Sequence, residues 1–184
     1  MVVICMLRGV NLGPYHRIKM DALRTLCESS GLTGVQTYVQ SGNVVFHTKE
    51  RNLIKLAKRI EDGIEKQFGF RPAVVLRTTA ELRQVVARNP FGKRKGIEPA
   101  KLLVDFLAIE PDQHAGEELE KIKADPEELH LDGRELYIYF PNGMGRSKLP
   151  WARIDRAVKT SGTGRNWNTV TKLFEMAEKM EGTS

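Results

Sequence analysis

Cysteine is scarce. The two present, Cys5 and Cys27, both sit inside apolar segments, which excludes a disulfide scaffold and predicts reduced thiols in a cytoplasmic protein. Long apolar runs are missing. The longest, Val2–Leu7, falls far short of the roughly 20 residues that span a bilayer, and no basic stretch precedes it as in a secretory signal. No membrane partner is expected. The four histidines, at 16, 47, 114 and 130, share no ligand spacing, and no Cys/His cluster or paired carboxylates accompany them. Neither a metal nor a cofactor is expected. The aromatic-interleaved strand motif of common RNA-binding sheets is also absent.

What is present is enough for a buried core: 184 residues, 41% hydrophobic and 28% charged, room for one large domain or two small ones. The net charge of +6 hides a segregation. Residues 1–97 hold 17 Lys or Arg against 7 Asp or Glu, residues 98–135 hold 4 against 12, and residues 136–184 hold 8 against 4. Basic ends around an acidic middle read either as a face for phosphates and other anions or as electrostatic fit between domains plus solubility.

Val2–Leu7, apolar without alternation, predicts a strand covered on both faces. Met20, Leu23, Leu26 and Cys27 make one helical face, closed by Gly31. Residues 35–40 and 43–47 flank Ser41-Gly42 as a hairpin. A longer helix follows, striped by Leu53, Ala57, Ile60, Ile64 and Phe68, and Ala73–Leu76 closes the unit. The order β-α-β-β-α-β is the split βαβ, ferredoxin-like arrangement. It then repeats: a strand at 102–109, an acidic helix at 111–124, a hairpin about Asp132-Gly133, a helix after Ser147 burying Trp151, Ile154 and Val158, and a strand at 163–167. The fold class is α+β, two ferredoxin-like (α/β-plait) halves with extra helices at 79–89, capped by Thr79, and 168–180. The divisions are 1–78, a connecting helix and basic linker at 79–97, and 98–184. Asp105, mid-strand among leucines, requires a partner or a polar site.

Four segments hold candidate binding residues. Arg8-Gly9-Val10-Asn11-Leu12-Gly13 with Arg17 and Lys19 places glycines and cations before a helix, so Arg8, Asn11, Gly13, Arg17 and Lys19 form either an anion cradle or a glycine turn with surface basics. Its glycine spacing fits neither a dinucleotide fingerprint nor a P-loop. Ser41 and Asn43 offer hydrogen bonds to a ligand or simply form the turn. Arg146, Ser147 and Lys148 follow two glycines and make either an anion nest or a helix cap. Arg165, Asn166 and Trp167 either stack a base or anchor and cap the last helix. From topology, the loop after the first strand and the hairpin are expected at opposite ends of the sheet.

These segments, together with Thr37–Phe46, Ser147-Lys148-Leu149 and Arg165-Asn166-Trp167-Asn168-Thr169-Val170, resemble the bacterial family called domain of unknown function 1697. The resemblance spans nearly the whole chain and implies two α/β-plait subdomains, with no activity attached. The chain departs from the family pattern at Gly13-Pro14, His16-Arg17 and Gly164. The functional expectation is a binding protein for a phosphate-bearing ligand, nucleotide or nucleic acid. The alternatives are a small enzyme acting on an anionic substrate between the halves, or a partner-binding module without chemistry. Oligomeric state is not legible.

Overall fold

The structure, a computed structural model, describes residues 1–183. It divides into two compact units, Met1–Gln84 together with the stretch from Lys172 onward, and Val85–Thr171.

In the first unit, β1 (Val2–Leu7), α1 (Met20–Ser29), β2 (Thr33–Tyr38), β3 (Asn43–His47), α2 (Leu53–Phe68) and β4 (Val74–Thr78) build a four-stranded antiparallel sheet in the order β2-β3-β1-β4. All six residues of β1 are buried. Val3, Cys5 and Leu7 face α1 and α2, packing with Phe46, Leu23, Leu26, Ile60 and Ile64. Side chains alternate along a strand, so Ile4 and Met6 face the other side, where they too are buried, as are Leu82, Leu173, Ala177 and Met180 of the same unit. On that side α3 (Thr79–Ala87) and the C-terminal stretch lie together, Arg83 reaching Glu178 at 3.3 Å and lying 5.9 Å from the Phe174 ring.

The second unit repeats the plan with β5 (Leu102–Leu107), α4 (Ala115–Glu120), β6 (Glu128–Asp132), β7 (Glu135–Tyr139), α5 (Trp151–Val158) and β8 (Gly162–Asn166), sheet order β6-β7-β5-β8. The helix α6 (Trp167–Gly182) follows. Leu103, Leu107, Leu136 and Ile138 pack with Leu119, Ile122, Ile154 and Val158. Over the other face, the Tyr137 hydroxyl donates to the Val85 carbonyl at 2.9 Å. Phe91 lies 5.8 Å from the Tyr139 ring, and Arg94 lies 5.6 Å from that ring while bonding Glu128 at 2.7 Å. The basic stretch at 92–96 is therefore tied down on this sheet.

The repeat extends to registers. Arg77 pairs with Ile4, and Arg165 with Val104, the third residue of each central strand. Both arginines are buried, and each donates from Nη1 to the carbonyl of the preceding residue at 2.9 Å. The next residue in each half caps a helix. Thr78 and Glu81 exchange hydrogen bonds as a capping box for α3, and Asn166 Oδ1 accepts from the Thr169 N–H for α6.

Several expectations are corrected. Thr78, not Thr79, caps α3; β4 runs through Thr78, and the Thr79 hydroxyl is buried with no hydrogen-bond partner among the described residues. The strand expected at 102–109 stops at Leu107, beyond which Ala108 and Ile109 are exposed. The helix expected at 111–124 covers only Ala115–Glu120, because Asp112 turns the chain by accepting from the N–H groups of His114 and Ala115. Ser147 does not cap α5. It follows a short 3-10 turn, Met144–Arg146, and accepts from the Leu149 N–H at 3.1 Å, while α5 begins only at Trp151. Trp151 is 40% exposed, its ring centroid 6.5 Å from Phe140, since the first residue of a helix lies past the edge of the core.

Candidate functional site

The largest correction concerns the two loops of the first unit. β1 and β2 both run antiparallel to β3, which lies between them, so the β2–β3 turn falls at the end of β1. Met6 pairs with Asn43, and the Leu7 N–H donates to the Gly42 carbonyl at 2.9 Å. The β1–α1 loop and the hairpin turn therefore share one end of the sheet.

Asn11 joins them. Its Nδ2 donates to the Gln40 carbonyl at 2.7 Å and to the Ile18 carbonyl at 3.0 Å, while Oδ1 accepts from the Ile18 N–H at 2.9 Å. One side chain thus closes the loop on itself and staples it to the turn. Asn43, fully buried, holds the turn from inside, donating to the Tyr38 carbonyl at 3.1 Å and to Ser41 Oγ at 2.8 Å. Gly42, at φ +73°, has no space for a side chain: an added Cβ would stand 2.6 Å from Val10 Cγ2 and 2.8 Å from Leu7 Cβ. At the far side of the loop, His16 stacks on Phe70 with 4.5 Å between centroids.

The backbone here is unusual. Gly9, Asn11, Gly13, His16, Val39 and Gly42 all have φ between +50° and +73°. For β-branched Val39 the left-handed region is strained by about 1–2 kcal/mol, and such strain persists where surrounding bonds over-determine it, often at ligand sites.

The pinned loop presents cations outward. Arg8, Arg17 and Lys19 are exposed and make no ion pair among the described residues, whereas Arg71 of the same unit is held by Glu61, Asp62 and Glu65. Lys19 occupies the N-cap position of α1 without capping it through its side chain, so the positive end of the helix lies beside these charges. Leu12 at 74% exposure, Tyr15 at 76% and Val39 at 50% add apolar surface. Pattern reading missed these three. The signal was available in Leu12 and Tyr15, apolar residues among glycine and proline with no helical or strand period to bury them.

The structure thus brings together Arg8, Asn11, Gly13, Arg17, Lys19, Ser41 and Asn43 within the first unit. The remaining candidates lie in the second unit. Arg146 and Lys148 line a recess of about 230 Å³ that Asp125 and Glu127 share. Arg165 is 7% exposed, with Nη1 donating to Thr163 Oγ1 at 2.8 Å. Asn166 is a helix cap, and Trp167 is the half-buried first residue of α6. Both cysteines are buried, and burial pushes the Cys27 thiol up to about 12, which keeps it protonated. Among the described residues, no group of three or more His, Cys, Asp or Glu is placed to hold a metal ion, and no helix is long and apolar enough to cross a membrane.

The fold is similar to that of the conserved bacterial protein SP0830 from Streptococcus pneumoniae, with a TM-score of 0.75 at 19% sequence identity, over 96% of this chain and 98% of that one. No curated protein matches the chain. Residues 1–137, which hold the whole stapled loop pair, match the family described as protein of unknown function DUF1697, and the chain belongs to that family.

Proposed function

We propose that the protein binds a phosphate-bearing ligand, a nucleotide or nucleic acid, at the end of the first sheet where the β1–α1 loop meets the β2–β3 turn. The observation that supports this reading is the Asn11 staple, which holds a strained loop in one shape while Arg8, Arg17 and Lys19 remain exposed and without an ion pair among the described residues. A pre-shaped cationic loop loses little entropy on binding, and the guanidinium of Arg8 or Arg17 offers two parallel donors to a phosphate. The exposed ring of Tyr15 gives a base a face to stack on, a contact worth about 1–3 kcal/mol, which favours a ligand with a nucleobase over inorganic phosphate.

The test is an anisotropy titration with labelled single-stranded RNA, single-stranded DNA and nucleotides at about 50 and 200 mM salt. Three phosphate contacts predict a log–log salt slope of about −2 for a single strand, a loss of roughly twentyfold between those conditions. Changing Arg8, Arg17 and Lys19 together to alanine flattens the slope. Absence of saturable binding at the lower salt, or a slope unchanged in the triple variant, removes the reading.

A further inference from the structure

The helix layers of the two units differ in a way that opens a second site. In the first unit α1 and α2 have 10 and 16 residues, and Gly63 lets Leu26 come close, 3.4 Å from where a Cβ would stand. In the second unit the equivalent α4 and α5 have only 6 and 8 residues. They pack against each other but leave a recess of about 470 Å³. Its lining includes two apolar core residues, Ile122 and Ala157, which are 6% and 7% exposed.

The rest of the lining is His114 and four charged side chains, whose charges do not all cancel. Lys159 is bonded to Asp112 at 2.9 Å, and Glu118 is paired with Lys121. Those hydrogen bonds hold the Asp112 and Glu118 carboxyls below the usual carboxylate range, so both pairs are ionised at neutral pH. His114 lies 3.9 Å from Glu117. Arg153 and Arg156, one helical turn apart and both lining the recess, have no ion pair or side-chain hydrogen bond among the described residues. The two acids held by lysines here, Asp112 and Glu118, make no ion pair with either guanidinium among the described residues.

We infer that the recess between α4 and α5 binds a small organic anion, its single carboxylate or phosphate head held by Arg153 and Arg156 and its apolar body resting on Ile122 and Ala157. The volume lies within the roughly 300–1,000 Å³ of small-molecule sites and suits a ring-sized body. The apolar floor disfavours a bare inorganic anion, and Glu118 on the rim disfavours a polyanion. This site is independent of the loop pair in the first unit.

Calorimetric titration of the full chain with phenyl phosphate, benzoate, inorganic phosphate and benzyl alcohol tests it. At least one of the two ringed anions is expected to bind saturably, about tenfold or more tighter than inorganic phosphate or the neutral alcohol, and which one binds assigns the head group. Arg153→Gln and Arg156→Gln, at exposed positions that leave melting temperature unchanged, each weaken binding about tenfold, as expected for loss of a charge-assisted contact. Arg8→Gln has no effect on it. The inference is overturned if neither ringed anion binds, if inorganic phosphate binds equally well, if the double arginine variant retains affinity, or if Arg8→Gln abolishes it.

Discussion

The two halves of the molecule share what the fold requires and differ where nothing in the fold prevents it. Both have a central apolar strand, the same sheet order, a buried arginine opposite the third residue of that strand, and a capped joint from last strand to following helix. They diverge at the periphery. The first half spends residues 8–19 on a stapled, cation-bearing loop and covers its sheet with long helices; the second joins β5 to α4 in seven residues and covers its sheet with short ones. A repeated sheet therefore fixes the scaffold, while loop length and helix length decide which surface is left for a ligand. One plan thus carries two different peripheral surfaces.

The hairpin turns break the comparison most sharply. Gly42 and Gly133 both lie in the turn of their half's hairpin, with φ +73° and +57°, but a Cβ at Gly42 would press on Val10 and Leu7, whereas among the described residues nothing beyond its chain neighbours lies within 4 Å of one at Gly133. Gly42→Ala is expected to destabilise by about 3 kcal/mol or more, combining left-handed strain with overpacking, and Gly133→Ala by about 1 kcal/mol. Urea denaturation of both variants measures the difference; equal losses would mean the first turn is not jammed against its loop.

Asn11→Ala comes next. It removes three hydrogen bonds from the staple, at a cost of about 1–3 kcal/mol, and frees residues 12–17. Amide hydrogen exchange is expected to accelerate at residue 11 and Ile18, whose N–H groups bond the His16 carbonyl and Asn11 Oδ1, with the second half unchanged. Protection that persists at Ile18 would show that the loop holds its shape without the staple.

Tyr137→Phe tests how the second sheet keeps its outer cover. The hydroxyl bonds the Val85 carbonyl inside the core, where burial raises the phenol well above its ordinary value, so its removal costs about 1–2 kcal/mol. A thermal melt showing no loss would place the cover's stability elsewhere.

The smallest effect is in acid. Asp112, Glu118 and Glu128 of the second half are held below their ordinary pKa by Lys159, Lys121 and Arg94, against Glu50 in the first half, held chiefly by the Asn52 N–H. A depressed folded pKa gives stability above the unfolded value, lost as pH falls through the folded one. Asp112 and Glu118 are exposed and Glu50 and Glu128 partly so, and solvent screening keeps the effect modest. Both tryptophans, Trp151 and Trp167, lie in the second unit. Their fluorescence is expected to change at slightly higher pH, below about 4.5, than far-UV ellipticity. Coincident transitions would erase this difference between the halves.

Much of this was legible without coordinates. The two β-α-β-β-α-β units, the double-faced burial of Val2–Leu7 and the hairpins at Gly42 and Gly133 follow from apolar period and turn chemistry, which act over a few residues. The candidate site is legible residue by residue but not as a site, because the turn meets the β1–α1 loop only through β3 lying between β1 and β2, antiparallel to both. Arg165 could not be read as buried. Its strand, Gly162–Asn166, has small or polar residues throughout, so no alternation marks which face meets the core. Trp151 continued a helical stripe, and only its place at the helix start put it at the rim.

Composition and periodicity by themselves determined the α+β class, the duplication and the residue types available for an anion, because propensity, alternation and capping are properties of neighbours in the chain. Tertiary structure alone decided that Asn11 meets Gln40, that Arg8, Arg17 and Lys19 find no ion pair among the described residues, and that Arg153 and Arg156 share a recess with Ile122 and Ala157. These depend on which strand lies between which and on how far a helix extends over its sheet, and both are set by contacts between residues far apart in the chain.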